Sequence, residues 1–114
     1  MIKNPQIYIQ HILESIDKIE KYVAEINEKN FSGNFLVIDA VVRNFTIIGE
    51  ASKNIPDNIK DKYLNADWKG MAGFRNRIVH AYFEISTRIV WHIVKNELPP
   101  LKERMKQILE KEVK

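Results

Sequence analysis

The sequence predicts an all-α protein, an up-and-down helical bundle of about five helices built by one domain over residues 1–114. Three observations lead there. Apolar residues recur at steps of three and four through most of the chain, and no stretch alternates with period two. Capping and turn residues punctuate the pattern at short intervals, leaving no linker long enough to separate domains.

Each element follows in order. Asn4-Pro5 pairs a capping side chain with proline at the first helical position. Behind it Ile9, Ile12, Ile16, Ile19, Val23 and Ile26 form one stripe, with Lys18, Glu20, Lys21 and Glu25 largely off it. Asn30-Phe31-Ser32-Gly33-Asn34 has turn chemistry and ends this unit. A second helix is expected from about Phe35 to Lys53, with Ile38, Val41, Val42, Phe45, Ile48 and Ala51 facing inward. Pro56 breaks it, and a short helix falls between Ile55 and Leu64. Asn65 or Asp67 caps a third main helix starting near Trp68. Gly70 and Gly73 inside it each cost about 1 kcal/mol of helix propensity relative to alanine, and they let another helix approach closely. Ser86 or Thr87 caps a fourth helix carrying Ile89, Val90, Ile93 and Val94. Pro99-Pro100 interrupts the pattern, and Leu101, Met105, Ile108 and Leu109 mark a terminal helix.

Composition narrows the function classes. The chain has no cysteine, which removes disulfide scaffolds, thiolate zinc sites and cysteine nucleophiles together. No apolar run approaches the roughly 18 residues that span a bilayer. Met1 to Gln10 lacks the basic-then-apolar pattern of a signal peptide, so a cytoplasmic location is expected. The net charge of +3 is mildly basic. Lys3, Lys18, Lys21, Lys60, Lys62, Lys102 and Lys106 are scattered, a balance that permits a polyanionic partner without demanding one.

The chemistry concentrates in one segment. The chain holds no glycine-rich phosphate loop, no histidine pair at metal spacing and no serine nucleophile elbow. His11, His80 and His92 lie far apart, so neither a metal nor a cofactor is expected. The dense polar cluster is Arg75, Asn76, Arg77, His80 and Tyr82, set between Met71-Ala72-Gly73-Phe74 and Ile78-Val79. On a helix Asn76 and His80 share a face, whereas Arg75 sits about 140° round from His80. One helix brings both to the same atom only if long side chains bend round or the helix ends near His80. A site shared between two subunits removes the difficulty.

Histidine exchanges a proton near neutrality, and arginine grips a phosphate bidentately while staying charged. Together they suit metal-free RNA cleavage, in which the ribose 2′-OH attacks the adjacent phosphate. The residues alone equally allow a structural role: Asn76 and His80 hydrogen-bonded inside the bundle, Arg75 paired with a carboxylate, Tyr82 packed. Asp39, Arg43, Thr46 and Glu50 form a second polar stripe, read as a solvated face with an Asp–Arg pair. Trp68 and Trp91 read as core or interface aromatics, His92 beside Arg88 and Asn96 as surface, His11 likewise, and Tyr8 and Tyr22 as boundary packing.

The segment Trp68 to Tyr82 resembles the signature of the HepT-like family of the HEPN superfamily: an arginine, four residues, a histidine, one residue and a tyrosine, filled by Arg75, His80 and Tyr82. Phe45-Thr46-Ile47-Ile48-Gly49-Glu50-Ala51, Val90-Trp91 and Leu98-Pro99-Pro100-Leu101 are also similar to the family, so the resemblance covers nearly the whole chain. Phe74 stands where methionine is more usual, a minor departure. The resemblance implies a HEPN-like bundle that dimerises, with the arginine and histidine meeting in a cleft between subunits. It implies a metal-independent endoribonuclease, the toxin of a type VII-like toxin–antitoxin pair. Its partner is then an MntA-type nucleotidyltransferase antitoxin that transfers AMP from ATP onto Tyr82. Carried over residue by residue, Arg75 stabilises the scissile phosphate, His80 serves as general base or acid, Asn76 helps position either, and Tyr82 is the AMP acceptor. The rival reading is a non-catalytic module that binds nucleotide, RNA or a nucleotidyltransferase in the same cleft. A purely structural dimer is a third.

Overall fold

The computed structural model describes residues 4–83 and 86–112, with the backbone alone at Arg75 and at 79–83. The described residues form seven helices and no strand: α1 (Pro5–Val23), α2 (Glu28–Ser32), α3 (Phe35–Lys53), α4 (Asp57–Lys62), α5 (Trp68–Phe83), α6 (Thr87–Asn96) and α7 (Leu98–Glu112). The all-α bundle expected from the sequence is the observed architecture.

The helix starts follow from side chains that satisfy orphan backbone donors. Asn4 Oδ1 accepts the Gln6 N–H at 2.9 Å with Pro5 opening α1, and Asn34 Oδ1 accepts the Val37 N–H at 3.1 Å to open α3. Ile9, Ile12, Ile16 and Ile19 of α1 are all 0 % exposed, so the apolar stripe of the sequence is the buried seam. That seam packs on α3, and α3 in turn packs on α5, which makes α3 the central layer. On the outside, α7 covers α1, and α6 bridges α5, α7 and α2. Phe45 of α3 meets Phe74 of α5 edge to face, with ring centroids 5.1 Å apart.

Two local expectations change. The segment Asn30–Asn34 is not simply a turn, because α2 occupies Glu28–Ser32, capped by Asn27 Oδ1 on the Asn30 N–H at 2.8 Å. Its single turn buries Phe31 fully against Trp91, ring centroids 5.1 Å apart. The proline pair does not interrupt a helix either. Pro99 and Pro100 lie in the first turn of α7, where a missing N–H leaves no intrahelical bond unmade. The break falls two residues before Pro99, at Glu97, between α6 and α7.

The far end of the bundle is tied by polar contacts to Glu112. Its carboxylate accepts from the Tyr63 hydroxyl and, at 2.9 Å, from Lys62 Nζ, while its carbonyl accepts from the Gln6 side chain. The Tyr63 hydrogen bond, then that of Lys62, holds the Glu112 carboxyl below its ordinary range, and the same bonds raise Tyr63 and Lys62. Among the described residues no helix is long and apolar enough to cross a membrane.

Candidate functional site

α5 carries the polar cluster, and its start is set by Asp67. The Asp67 side chain accepts the Gly70 N–H at 2.9 Å and its carbonyl accepts the Met71 N–H at 3.0 Å. Of the two caps the sequence allowed, Asp67 is the one used. Glycine at 70 has a local cause, because a β-carbon there would stand 2.1 Å from the capping Asp67 carboxylate. Gly73 has none. A β-carbon at 73 meets nothing within 4 Å, so the chain's own packing does not require glycine there.

Met71, Phe74 and Ile78 hold α5 to the core at 1 %, 3 % and 0 % exposure. In helical register, positions 73, 76 and 80 centre about 160° away from that seam. The Asn76 side chain is exposed, which removes the reading in which it hydrogen-bonds inside the bundle. The side chains of Arg75, His80 and Tyr82 lie outside the described residues; their backbone belongs to α5. Because α5 runs unbroken to Phe83, a helix end near His80 does not reconcile the angular separation of positions 75 and 80. It stands at about 140° by helical geometry.

Arg77 has a separate task. Its guanidinium pairs bidentately with Glu97 at the end of α6, Nη1–Oε1 3.0 Å and Nη2–Oε2 2.8 Å, and the Glu97 hydrogen bond raises its pKa. This pair ties α5 to the α6–α7 junction. Both partners are part-exposed, so Arg77→Met is expected to lower stability by no more than about 1 kcal/mol, read by urea unfolding.

The remaining candidates sort as follows. On α3, Thr46 Oγ1 donates to the Val42 carbonyl at 3.1 Å, Glu50 faces Lys53 at 3.8 Å, and Asp39 and Arg43 are exposed. Trp68 Nε1 donates to the Tyr63 carbonyl at 3.0 Å, and Trp91 packs on Phe31, so both tryptophans are packing residues. His11 is exposed beside the Tyr8 ring, and His92 is exposed with Asn96 Nδ2 3.1 Å from its Nδ1. Tyr22 is 39 % exposed, more open than boundary packing implies. Among the described residues no group of three or more His, Cys, Asp and Glu side chains is placed to hold a metal.

A shallow cavity of about 240 Å³ opens beside the start of α5, lined by Asp67, Met71, Phe74, Asn96, Glu97 and Arg104 among others. Its two carboxylates are already engaged, Asp67 as a cap and Glu97 with Arg77. Asn76 does not line it.

Comparison with known proteins gives a consistent result. A family model described as ribonuclease HepT-like matches residues 12–108. A Methanocaldococcus jannaschii protein named as a gamma-glutamylcyclotransferase and candidate RNase is 40% identical over 96% of this chain, which spans only 50% of that relative. A candidate RNase of Caldanaerobacter subterraneus subsp. tengcongensis is 36% identical over 97% of this chain and 99% of its own length. A probable ribonuclease HepT of Thermococcus cleftensis is 36% identical over 95% of this chain and 98% of its own. No solved structure matches the chain.

Proposed function

The chain belongs to the HepT-like ribonuclease family, and from that premise we propose that it is a metal-independent endoribonuclease whose site forms between two subunits. The observation that carries this reading is that Arg75, Asn76, His80 and Tyr82 all lie on the single continuous helix α5. Positions 75 and 80 are separated by about 140° on this helix, and a second copy would bring an arginine and a histidine together by symmetry without long side chains having to bend round.

In this mechanism His80 takes the proton from a ribose 2′-OH, whose oxygen attacks the adjacent phosphorus. The Arg75 guanidinium neutralises the charge that builds on the phosphate oxygens, and Asn76 orients the phosphate or the imidazole. The 5′-oxygen of the next nucleotide leaves with the proton that the imidazole took up, giving a 2′,3′-cyclic phosphate. Biologically the reading is that of a toxin held in check by a nucleotidyltransferase antitoxin. There the Tyr82 phenol oxygen attacks the α-phosphorus of ATP, pyrophosphate leaves, and the bulky anionic AMP adduct repels RNA two residues from His80.

End-labelled RNA incubated with the protein in excess chelator tests the proposal. Cleavage leaving 2′,3′-cyclic phosphate ends is expected. Binding without any product, from protein shown by intact mass to lack AMP, would instead favour the non-catalytic module.

The empty space over Gly73 yields a second test. Gly73→Ala is expected to stabilise the folded chain by about 1 kcal/mol in urea unfolding, since alanine propagates a helix better and meets no neighbour. The same change is expected to weaken self-association, read by sedimentation, and to reduce cleavage. Stabilised protein with full activity would remove position 73 from the interface.

A further inference from the structure

We infer that the outward face of α6, bearing Arg88, His92 and Lys95, is a track for the phosphate backbone of RNA beside the motif helix. The inference rests on the ribonuclease reading and names how its substrate is held.

Positions 88, 92 and 95 fall within an arc of about 60° on one helix, and all three side chains are exposed. α6 contains no carboxylate, and Glu97 just beyond it is engaged by Arg77. Some cations elsewhere are paired, Lys53 with Glu50, Lys62 with Glu112, and Lys102 with Asp17 and Glu20, while among the described residues Lys21, Lys60 and Lys106 are scattered on other helices without an ion pair. Among the described residues neither Arg88 nor Lys95 has such a partner. Their charge is therefore open to solvent along a continuous stripe.

The stripe is also anchored to the bundle and joined to the motif helix. Trp91 is anchored on Phe31 and carries Lys95 Nζ 4.8 Å from its ring centroid. α6 packs on α5, begins five residues after Tyr82, and is tied back to α5 by the Arg77–Glu97 pair. From 88 to 95 the helix rises about 10 Å, room for more than one phosphate of a strand. His92 and Asn96 add side-chain nitrogens on the same surface. Of the large apolar residues on α6 only Ile89 is prominently exposed, at 46 %, so the face lacks the apolar anchor of a protein-docking surface.

The test uses full-length protein carrying His80→Ala, so that a fluorescein-labelled single-stranded RNA stays intact while anisotropy is followed across potassium chloride concentrations. Adding Arg88→Ala and Lys95→Ala is expected to weaken binding about tenfold at low salt and to flatten the slope of log K against log salt by about 1.4. A control with the same net charge, Lys21→Ala with Lys106→Ala on α1 and α7, is expected to keep the slope. In the chain with His80 intact, Arg88→Ala/Lys95→Ala is expected to raise KM for RNA about tenfold. Equal slopes for stripe and control variants would overturn the inference. So would retained RNA affinity with lost binding of a nucleotidyltransferase. Stripe-dependent binding by a chain that never cleaves RNA would overturn the ribonuclease reading and leave the track standing.

Discussion

Replacing His80 with alanine is expected to reduce RNA cleavage by about 10²–10⁴-fold, the range that a positioned general base or acid supplies. The fold is expected to survive, because position 80 lies on the side of α5 turned away from the Met71–Phe74–Ile78 seam. The measurement pairs an initial rate on end-labelled RNA with a urea melt of the same preparation. An unchanged rate would remove His80 from the chemistry. A lost rate accompanied by a large drop in stability would move His80 to a structural role. Arg77→Met supplies the contrast within the same helix, since its guanidinium is spent on Glu97.

What the sequence made legible was periodic or local. The seams of α1 and α3 are repeats of isoleucine, valine and phenylalanine long enough to declare a helical period, and both are buried except at Ile26, which falls past the end of α1, and Val42, each only partly buried. The Asp67 cap lies three residues from the donor it satisfies, so the sequence offered it, with Asn65 as the alternative that only the structure removes. α2 could not, because five residues carry no period, and Phe31 is buried by a tryptophan sixty positions away. Asn44 also defeats pattern reading. It is 3 % exposed on α3, its amide nitrogen donates to the Ala40 carbonyl at 2.8 Å, and its Oδ1 has no hydrogen-bond partner among the described residues. A polar residue in that place breaks the apolar pattern instead of announcing burial.

The candidate site shows the same division. The spacing of Arg75, His80 and Tyr82 was legible as a motif, and the helix that bears them was legible from Trp68 onward. The Arg77–Glu97 pair was not, since its members stand twenty residues apart and only the packing of α5 against α6 joins them. Nor could the sequence choose between a helix ending near His80 and one running past it. The continuation to Phe83 removes the first choice and sharpens the geometric case for a second subunit.

Phe45→Ala is expected to have the largest effect on stability, a loss of about 3–5 kcal/mol in urea unfolding. Phe45 is 0 % exposed on the central helix α3, and its ring stands edge to face with Phe74 on the motif helix. Its removal opens a cavity between α3 and α5 that neighbours fixed by their own packing fill only in part. Domains of this size are stable by only about 5–15 kcal/mol, so the variant should sit close to unfolding on warming. Its activity is expected to fail with temperature and to return on cooling, in step with the folded fraction. His80→Ala should behave in the opposite way, folded at every temperature where the wild type is folded and similarly impaired at all of them. A Phe45→Ala protein that melts within 1 kcal/mol of the wild type would mean that α3 and α5 can close over the gap. The position of α5 would then owe less to this aromatic contact than to Met71 and Ile78 on either side of Phe74.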